Sequence, residues 1–62
     1  MDSLTKTLVA KSDAYNSAFW ELKNQDNSII EVEYFEDSDT YGTFVRGYYE
    51  GVGYSSKYYY AA

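Results

Sequence analysis

The first third of the chain carries apolar side chains at the spacing of an amphipathic helix. Five of them fall close to one stripe with a period of about 3.6 residues: Leu4, Leu8, Tyr15, Phe19 and Leu22. The pattern predicts a helix from about residue 3 to residue 22, with Ser3 or Ser12 as its N-cap. The cluster "NQDNS" at 24–28 then ends the helix, because Asn and Asp side chains bond to nearby backbone in turns.

The beginning of this segment has a second interpretation. Thr5, Thr7 and Val9 alternate in "LTKTLVAK", which favours a first strand, followed by a shorter helix in "SDAYNSAFWELKN" with Ser12 as its cap. Alanine at every fourth position from 10 to 18 favours helix instead. We adopt the longer helix and keep the strand as the alternative.

From residue 29 onward the hydrophobic period changes to two, as expected of a strand with one face on a core and one in solvent. The inward set is Ile30, Val32 and Tyr34, and the outward set is Glu31, Glu33 and Phe35. Turn-like segments then separate three predicted strands, at about residues 29–36, 40–50 and 54–60. Gly47, inside the second strand, predicts a bulge or a close approach of the backbone.

These elements predict an α+β fold, with one N-terminal helix packed on a three-stranded antiparallel meander, in a single small domain spanning residues 1–62. The last stretch, "RGYYEGVGYSSKYYYAA", is rich in Gly, Ser and Tyr, a composition also found in disordered adhesive tails. We favour an ordered hairpin, because the helix and first strand alone would bury too little apolar area.

Composition indicates how such a small domain is stabilised. The 62 residues include neither Cys nor His, so a disulfide or a structural zinc site is excluded. Aromatic residues make up 21% of the chain, and each buried ring removes a large area from water. Tyrosine can do so at an interface while its hydroxyl stays wet, so we expect ring packing and a homo-oligomer.

Net charge restricts the partners. Ten acidic and five basic residues give a formal net charge of -5, which disfavours direct contact with nucleic acid or anionic lipid and favours a basic or neutral protein partner. The first residues lack a basic leader and an apolar run of signal-peptide length, and no stretch approaches the length of a membrane span. The expectation is a cytoplasmic protein, in the host cytoplasm if the chain is phage-encoded.

Catalytic and cofactor signatures are missing from the sequence. Without His, a general base near neutral pH would be a carboxylate or Lys with a strongly shifted pKa, which requires burial that so small a chain rarely provides. "SSK" at 55–57 is interpreted as a solvated turn, and the four glycines form no phosphate-binding loop. The chain is therefore not expected to be an enzyme or to bind a cofactor.

Asp37, Asp39 and Gly42 reproduce part of a calcium-binding loop. Tyr41 and Tyr48, however, stand where that loop needs Asp or Asn and a bidentate Glu. We expect instead a β-turn in which the Asp side chains bond to local backbone, and no metal site.

Acidic residues concentrate in one predicted strand and the turn after it: Glu31, Glu33, Glu36, Asp37 and Asp39. Glu31 and Glu33 would share one face of a strand about 6.6 Å apart, comparable to the separation of successive phosphates on a nucleic-acid strand. Such a row predicts an anionic strip that takes the place of a nucleic-acid backbone in a basic protein groove. The plainer interpretation is a wet sheet face whose charges discourage aggregation at the sheet edge.

Exposed tyrosines complete the predicted surface, because the sheet cannot bury every ring and Tyr is a frequent hot-spot residue at protein interfaces. Four are predicted to anchor a partner: Tyr48, Tyr49, Tyr58 and Tyr59. The hypothesis is a small acidic inhibitor or modulator that docks, as a nucleic-acid mimic, into a basic site of a nucleic-acid-handling protein, an arrangement typical of phage and mobile elements. The alternative is a homo-oligomeric structural protein that assembles through its Tyr-rich strands.

Overall fold

The computed structural model describes residues 9–61. In chain order their elements are α1 (Lys11–Lys23), β1 (Glu33–Asp39), β2 (Gly42–Tyr49), β3 (Gly53–Tyr54) and β4 (Tyr58–Tyr59). All strand pairs are antiparallel, and the helix packs mainly on the central strand β2. This arrangement confirms the predicted α+β fold.

The helix begins later than predicted. Val9 and Ala10 are not helical, since the Val9 carbonyl accepts the Ala61 N–H at 3.1 Å beside a parallel bridge to Tyr60. Ala10 is the N-cap and supplies no side-chain hydrogen bond, so the predicted Ser12 cap is wrong. The described residues therefore follow the shorter-helix alternative.

The helix ends where the turn cluster predicts. Lys23 is its last residue, and the Asp26 carboxylate accepts both the N–H and the hydroxyl of Ser28, at 3.0 and 2.6 Å. The predicted helix or strand over residues 3–8, with its Ser3 cap, lies outside the described residues. Within residues 9–61, no helix has the length and apolar character needed to cross a membrane.

The first strand also begins later than predicted. Residues 29–32 are irregular, and β1 starts only after them. Ile29 and Val32 are buried with Leu22, whereas Ile30 is 87% exposed. The predicted inward position of Ile30 is therefore wrong. Before the chain enters the sheet, Ile29 and Val32, which are three positions apart, pack toward the helix, and Ile30 between them faces solvent.

β1 and β2 form a hairpin with a two-residue loop at 40–41. Its register places Asp39 opposite Gly42, whose φ of 134° is a conformation that favours glycine. The Asp39 carboxylate accepts the Tyr41 N–H at 2.8 Å. The predicted turn, with an Asp side chain bonded to local backbone, is confirmed.

A β-bulge interrupts the third predicted strand. Tyr54 in β3 lies opposite Tyr48 in β2, whereas Tyr58 in β4 lies opposite Val45. Between these two pairs, β2 covers three residue positions, from Tyr48 to Val45, whereas the third predicted strand covers four, from Tyr54 to Tyr58. One extra residue is therefore inserted at 55–57.

The bulge is fixed both from within the sheet and from the helix. Ser55 is 1% exposed, and its hydroxyl accepts the Gly47 N–H at 2.6 Å. Glu21 of α1 accepts the Ser56 N–H at 3.0 Å with each carboxylate oxygen. The predicted solvated turn at 55–57 is therefore wrong for Ser55, whose hydroxyl replaces a bond of the sheet ladder.

Two buried clusters lie between the helix and the sheet: Ala14, Val45 and Tyr60, and Leu22, Ile29 and Val32. The layers approach closely at Gly47, where an added Cβ would lie 2.9 Å from Val32 Cγ1 and 3.5 Å from Ala18 Cβ. The predicted close approach at Gly47 is confirmed, and this glycine also lies opposite the bulge.

Candidate partner-binding site

The helix covers only one of the two sheet faces. Tyr34 and Glu36 of β1 point to the helix side, because they pair with Gly47 and Val45, which lie under α1. Their neighbours in the strand point the other way, to a side that we call the open face. Its described residues are Glu33, Phe35, Asp37, Asp39, Phe44, Arg46, Tyr48, Tyr54 and Tyr59.

Three rings pack together at one end of the open face. The Tyr48 ring centroid lies 4.8 Å from that of Tyr54 and 6.4 Å from that of Phe35. The Arg46 guanidinium lies 4.8 Å from the Tyr54 ring, and its Nε donates to the Ser55 carbonyl at 2.9 Å. Phe35 and Tyr54 are about half exposed, so this end presents aromatic surface to solvent.

The opposite end of the open face is covered by its own side chains. Phe44 is buried, with the Tyr59 ring 5.5 Å and the Lys57 ammonium 4.7 Å from its ring. Asp39 accepts the Tyr59 hydroxyl at 2.6 Å and pairs with Lys57 at 3.0 Å. These contacts hold the pKa of Asp39 well below its usual range, and the bond to Asp39 raises the pKa of Tyr59 to about 12.

Glu36 lies on the helix side of the sheet. Its carboxylate accepts the Tyr15 hydroxyl and, at 3.0 Å, the Tyr60 hydroxyl, and it lies 3.4 Å from the Lys11 ammonium. Burial, with the bond to Glu36, raises the pKa of Tyr60. Glu36 therefore stabilises the contact between the helix and the sheet.

The predicted single acidic strip is therefore wrong. The two-residue period of β1 sends Glu36 to the side opposite Asp37, and Lys57 neutralises Asp39. Asp37 remains on the open face, where it accepts the N–H of the adjacent Ser38 at 2.8 Å. Within the described residues, no cation pairs with Asp37, and no group of three acidic side chains is placed to hold a metal ion.

Glu31 and Glu33 meet two of the predicted tyrosines at one end of the sheet. The beginning of β1 and the end of β2 lie side by side there, because the two strands are antiparallel. They form the walls of an open cleft of about 540 Å³, which we call the carboxylate cleft; it is lined by Glu31, Val32, Glu33, Tyr48, Tyr49 and Glu50. Four predicted partner-binding residues are therefore brought together.

The carboxylates of this cleft are not neutralised by the described part of the chain. Glu31, Glu33 and Glu50 are exposed, and no Lys or Arg between residues 9 and 61 pairs with any of them. The lining also includes Tyr48, whose ring lies on the open face, and Tyr49, which packs against the buried cluster of the helix side. Carboxylates bind ammonium and guanidinium groups by charge and hydrogen bonds, and a tyrosine ring at the cleft attracts them by cation–π contact.

Glu50 is a site residue that the sequence reasoning missed. It follows β2 in the turn that leads to β3, outside the acidic cluster on which the prediction was based. Its signal was the stretch "YYEG", where an acidic residue stands directly between the two tyrosine anchors and a glycine. Antiparallel pairing then brings that stretch beside Glu33.

Tyr58 and Tyr59 lie away from the carboxylate cleft. The Tyr58 hydroxyl donates to Glu21 at 2.6 Å, and this bond, with burial, raises the pKa of Tyr58 to about 12. Tyr59 donates to Asp39. Both predicted anchors therefore have hydrogen-bond partners within the chain.

The carboxylate cleft and the aromatic end of the open face together form the candidate site, since Tyr48 belongs to both. The chain matches no protein-family model, no curated protein and no solved structure.

Proposed function

We propose that this protein is a small protein-binding module whose partner inserts a lysine or arginine side chain into the carboxylate cleft. The observation that supports this proposal is the meeting of Glu31, Glu33 and Glu50 with Tyr48 and Tyr49, in a cleft where no cation from residues 9–61 neutralises the carboxylates. A cation supplied by the partner compensates that charge.

Arginine suits the carboxylate cleft by its shape as well as its charge. A guanidinium group stacks on an aromatic ring and forms two parallel hydrogen bonds to one carboxylate. The chain's own Arg46 guanidinium lies over the Tyr54 ring, 4.8 Å from its centroid. The net charge of -5 also steers a basic partner toward the protein before contact.

The aromatic end of the open face extends this contact. Phe35 and Tyr54 lie next to Tyr48 and are about half exposed. Aromatic side chains of this kind contribute a large share of the binding energy at protein interfaces. The proposed contact surface is therefore an anionic cleft beside an aromatic patch.

A basic site on a nucleic-acid-handling protein meets these requirements, because such a site already holds Lys and Arg for phosphate groups. By occupying it, the protein would act as an inhibitor or modulator. The anionic group consists of three carboxylates gathered at one cleft, with Asp37 further along β1. It is not a row of carboxylates spaced like nucleic-acid phosphates.

Assembly of several copies through the Tyr-rich strands has less support. Tyr58 and Tyr59 donate their hydroxyls to Glu21 and Asp39, and Tyr60 is buried against the helix. The C-terminal tyrosines thus contribute mainly to contacts within one chain.

Titration with a flexible peptide that carries three arginines separated by glycines tests the proposal, with the protein observed by NMR. We expect the largest chemical-shift changes at the carboxylate cleft. Glu31→Gln, Glu33→Gln and Glu50→Gln should each weaken binding roughly two- to fivefold, and more salt should weaken it further. Asp13→Asn, the same charge change on the exposed start of α1, is the matched control.

Two results contradict the proposal. One is an equal loss of affinity in the control variant and the cleft variants. The other is binding that does not depend on ionic strength.

A further inference from the structure

β1 lies at an edge of the sheet. Among residues 9–61 it pairs only with β2, and six of its seven residues are exposed. The outer edge of such a strand presents backbone N–H and C=O groups that another extended chain can bind. The Ser38 N–H already bonds to the Asp37 carboxylate, so an added strand bonds to the remaining groups of this edge. Glu33 belongs both to this edge and to the carboxylate cleft.

The charge of β1 determines which chain can bind there. The strand carries four carboxylates and no basic residue; Glu36 and Asp39 pair with Lys11 and Lys57, whereas Glu33 and Asp37 have no cationic partner among residues 9–61. If two copies paired antiparallel through the centre of β1, Glu33 of one copy would lie opposite Asp39 of the other, and Asp37 would meet no basic residue. Like charges directly opposite each other destabilise strand pairing, so a second copy is disfavoured at this edge.

We propose that the outer edge of β1 receives an extended, basic segment of the partner protein, which adds one more strand to the sheet. Opposite charges at cross-strand positions stabilise strand pairs, so an incoming strand with Lys or Arg complements this edge. The inference rests on the proposed function, because the added strand and the side chain in the carboxylate cleft belong to the same basic partner.

The alternation of β1 also specifies a pattern for the incoming strand. Glu33, Phe35 and Asp37 succeed one another on the open face. Every second residue of the added strand lies beside them, so the pattern basic, apolar, basic at alternate positions fits this side best. On the helix side, the added strand lies beside Tyr34 and Glu36, whose carboxylate already binds within the chain.

Three synthetic peptides test this inference. The first has the sequence Thr-Lys-Thr-Phe-Thr-Lys-Thr, which places Lys, Phe and Lys at alternate positions. The second and third carry the same charge but are N-methylated on one or the other set of alternate backbone amides. Only one set of amides can face β1, so one methylated peptide should bind roughly tenfold more weakly than the first, and the other should bind almost equally well.

Amide hydrogen exchange supplies a second readout. The unmodified peptide should slow exchange of β1 amide protons, and the weakly binding methylated peptide should not. Asp37→Asn should weaken binding of the first peptide, whereas Asp13→Asn, on the other layer of the protein, should leave it unchanged.

The possible failures are distinguishable. Equal affinity for all three peptides, with no protection of β1, overturns the added strand but leaves binding in the carboxylate cleft intact. If neither these peptides nor the flexible arginine peptide binds, the proposed basic partner itself is rejected.

Discussion

The Glu21 carboxylate of α1 accepts the backbone N–H of Ser56 in the β-bulge, with each carboxylate oxygen 3.0 Å from the nitrogen. The same carboxylate accepts the Tyr58 hydroxyl at 2.6 Å. One helical side chain thus satisfies a backbone donor that the bulge removes from the sheet ladder and a tyrosine of the adjoining strand. The helix and the irregular strand are connected through this group.

Glu21→Ala is therefore expected to lower the free energy of unfolding by about 1–3 kcal/mol, since Ser56 and Tyr58 lose their shared acceptor. Urea unfolding followed by circular dichroism measures the change. Ser17→Ala, at an exposed position one turn earlier, should change it by less than about 0.5 kcal/mol. Similar effects of the two substitutions would show that the Glu21 contacts contribute nothing specific.

Gly47→Ala should destabilise the fold by about 1–3 kcal/mol. The new Cβ would lie 2.9 Å from Val32 Cγ1 and 3.3 Å from Leu22 Cδ1, and the branched Val32 side chain has little freedom to move away. The matched control is Gly51→Ala, where an added Cβ meets no atom within 4 Å and φ is not positive. Thermal unfolding compares the two variants, and a loss in the Gly51 variant as large as that in the Gly47 variant would refute the steric explanation.

High pH should destabilise the protein through Tyr58 and Tyr59. Their hydrogen bonds to carboxylates raise the pKa of each to about 12, above the ordinary tyrosine value of about 10. Between these values, the unfolded chain has lost two protons that the folded chain retains. The free energy of unfolding therefore falls as the pH rises through this interval.

Titration of tyrosinate by ultraviolet absorbance checks this expectation. Tyr58 and Tyr59 should ionise later than solvent-exposed tyrosines, as should Tyr60, whose pKa burial and the bond to Glu36 also raise. Tyr59→Phe should remove one late-ionising group, whereas Tyr54→Phe should remove none, because within the described residues the Tyr54 hydroxyl bonds to no carboxylate. A Tyr59→Phe variant that keeps every late-ionising group, or a Tyr54→Phe variant that loses one, would contradict the assignment.

Glu36 and Asp37 are adjacent in sequence but should respond differently to substitution. Glu36→Ala should lower the free energy of unfolding by about 1–2 kcal/mol, because the buried Tyr60 loses the acceptor of its hydroxyl. Asp37→Ala should stay within about 0.5 kcal/mol, since no cation among residues 9–61 pairs with Asp37. Denaturant unfolding of the two variants side by side compares their free energies of unfolding. Equal values would show that both carboxylates simply face solvent.

Local sequence patterns predicted the elements of the fold but not all of their bounds. The change from helical spacing to alternation correctly indicated a helix followed by a meander, and Gly47 marked the close approach of the two layers. The irregular segment before β1 could not be read from alternation, because Ile29 and Val32 are placed by contact with Leu22, a residue of another element. Burial by a distant neighbour overrode the local period.

The candidate site was predicted only in part, again because contacts between residues distant in the sequence determine it. Glu31, Glu33, Tyr48 and Tyr49 were identified by residue type, and antiparallel pairing brings them together. Other predicted site residues form ion pairs or hydrogen bonds with side chains distant in the sequence, as Asp39 does with Lys57. Such pairings follow from the register of the third strand, which the inserted residue shifts and which no local pattern revealed.

That insertion also determines which tyrosines face which side. Tyr58 lies opposite Val45 on the helix side, whereas Tyr59 lies opposite Phe44 on the open face. If the register of β3 instead continued through residues 55–57 without a bulge, Tyr58 would lie opposite Phe44 on the open face, and Tyr59 would lie opposite Thr43 on the helix side. The phase of one strand, set by a single surplus residue, thus decides whether the C-terminal aromatic side chains serve the interior or the exterior of the molecule.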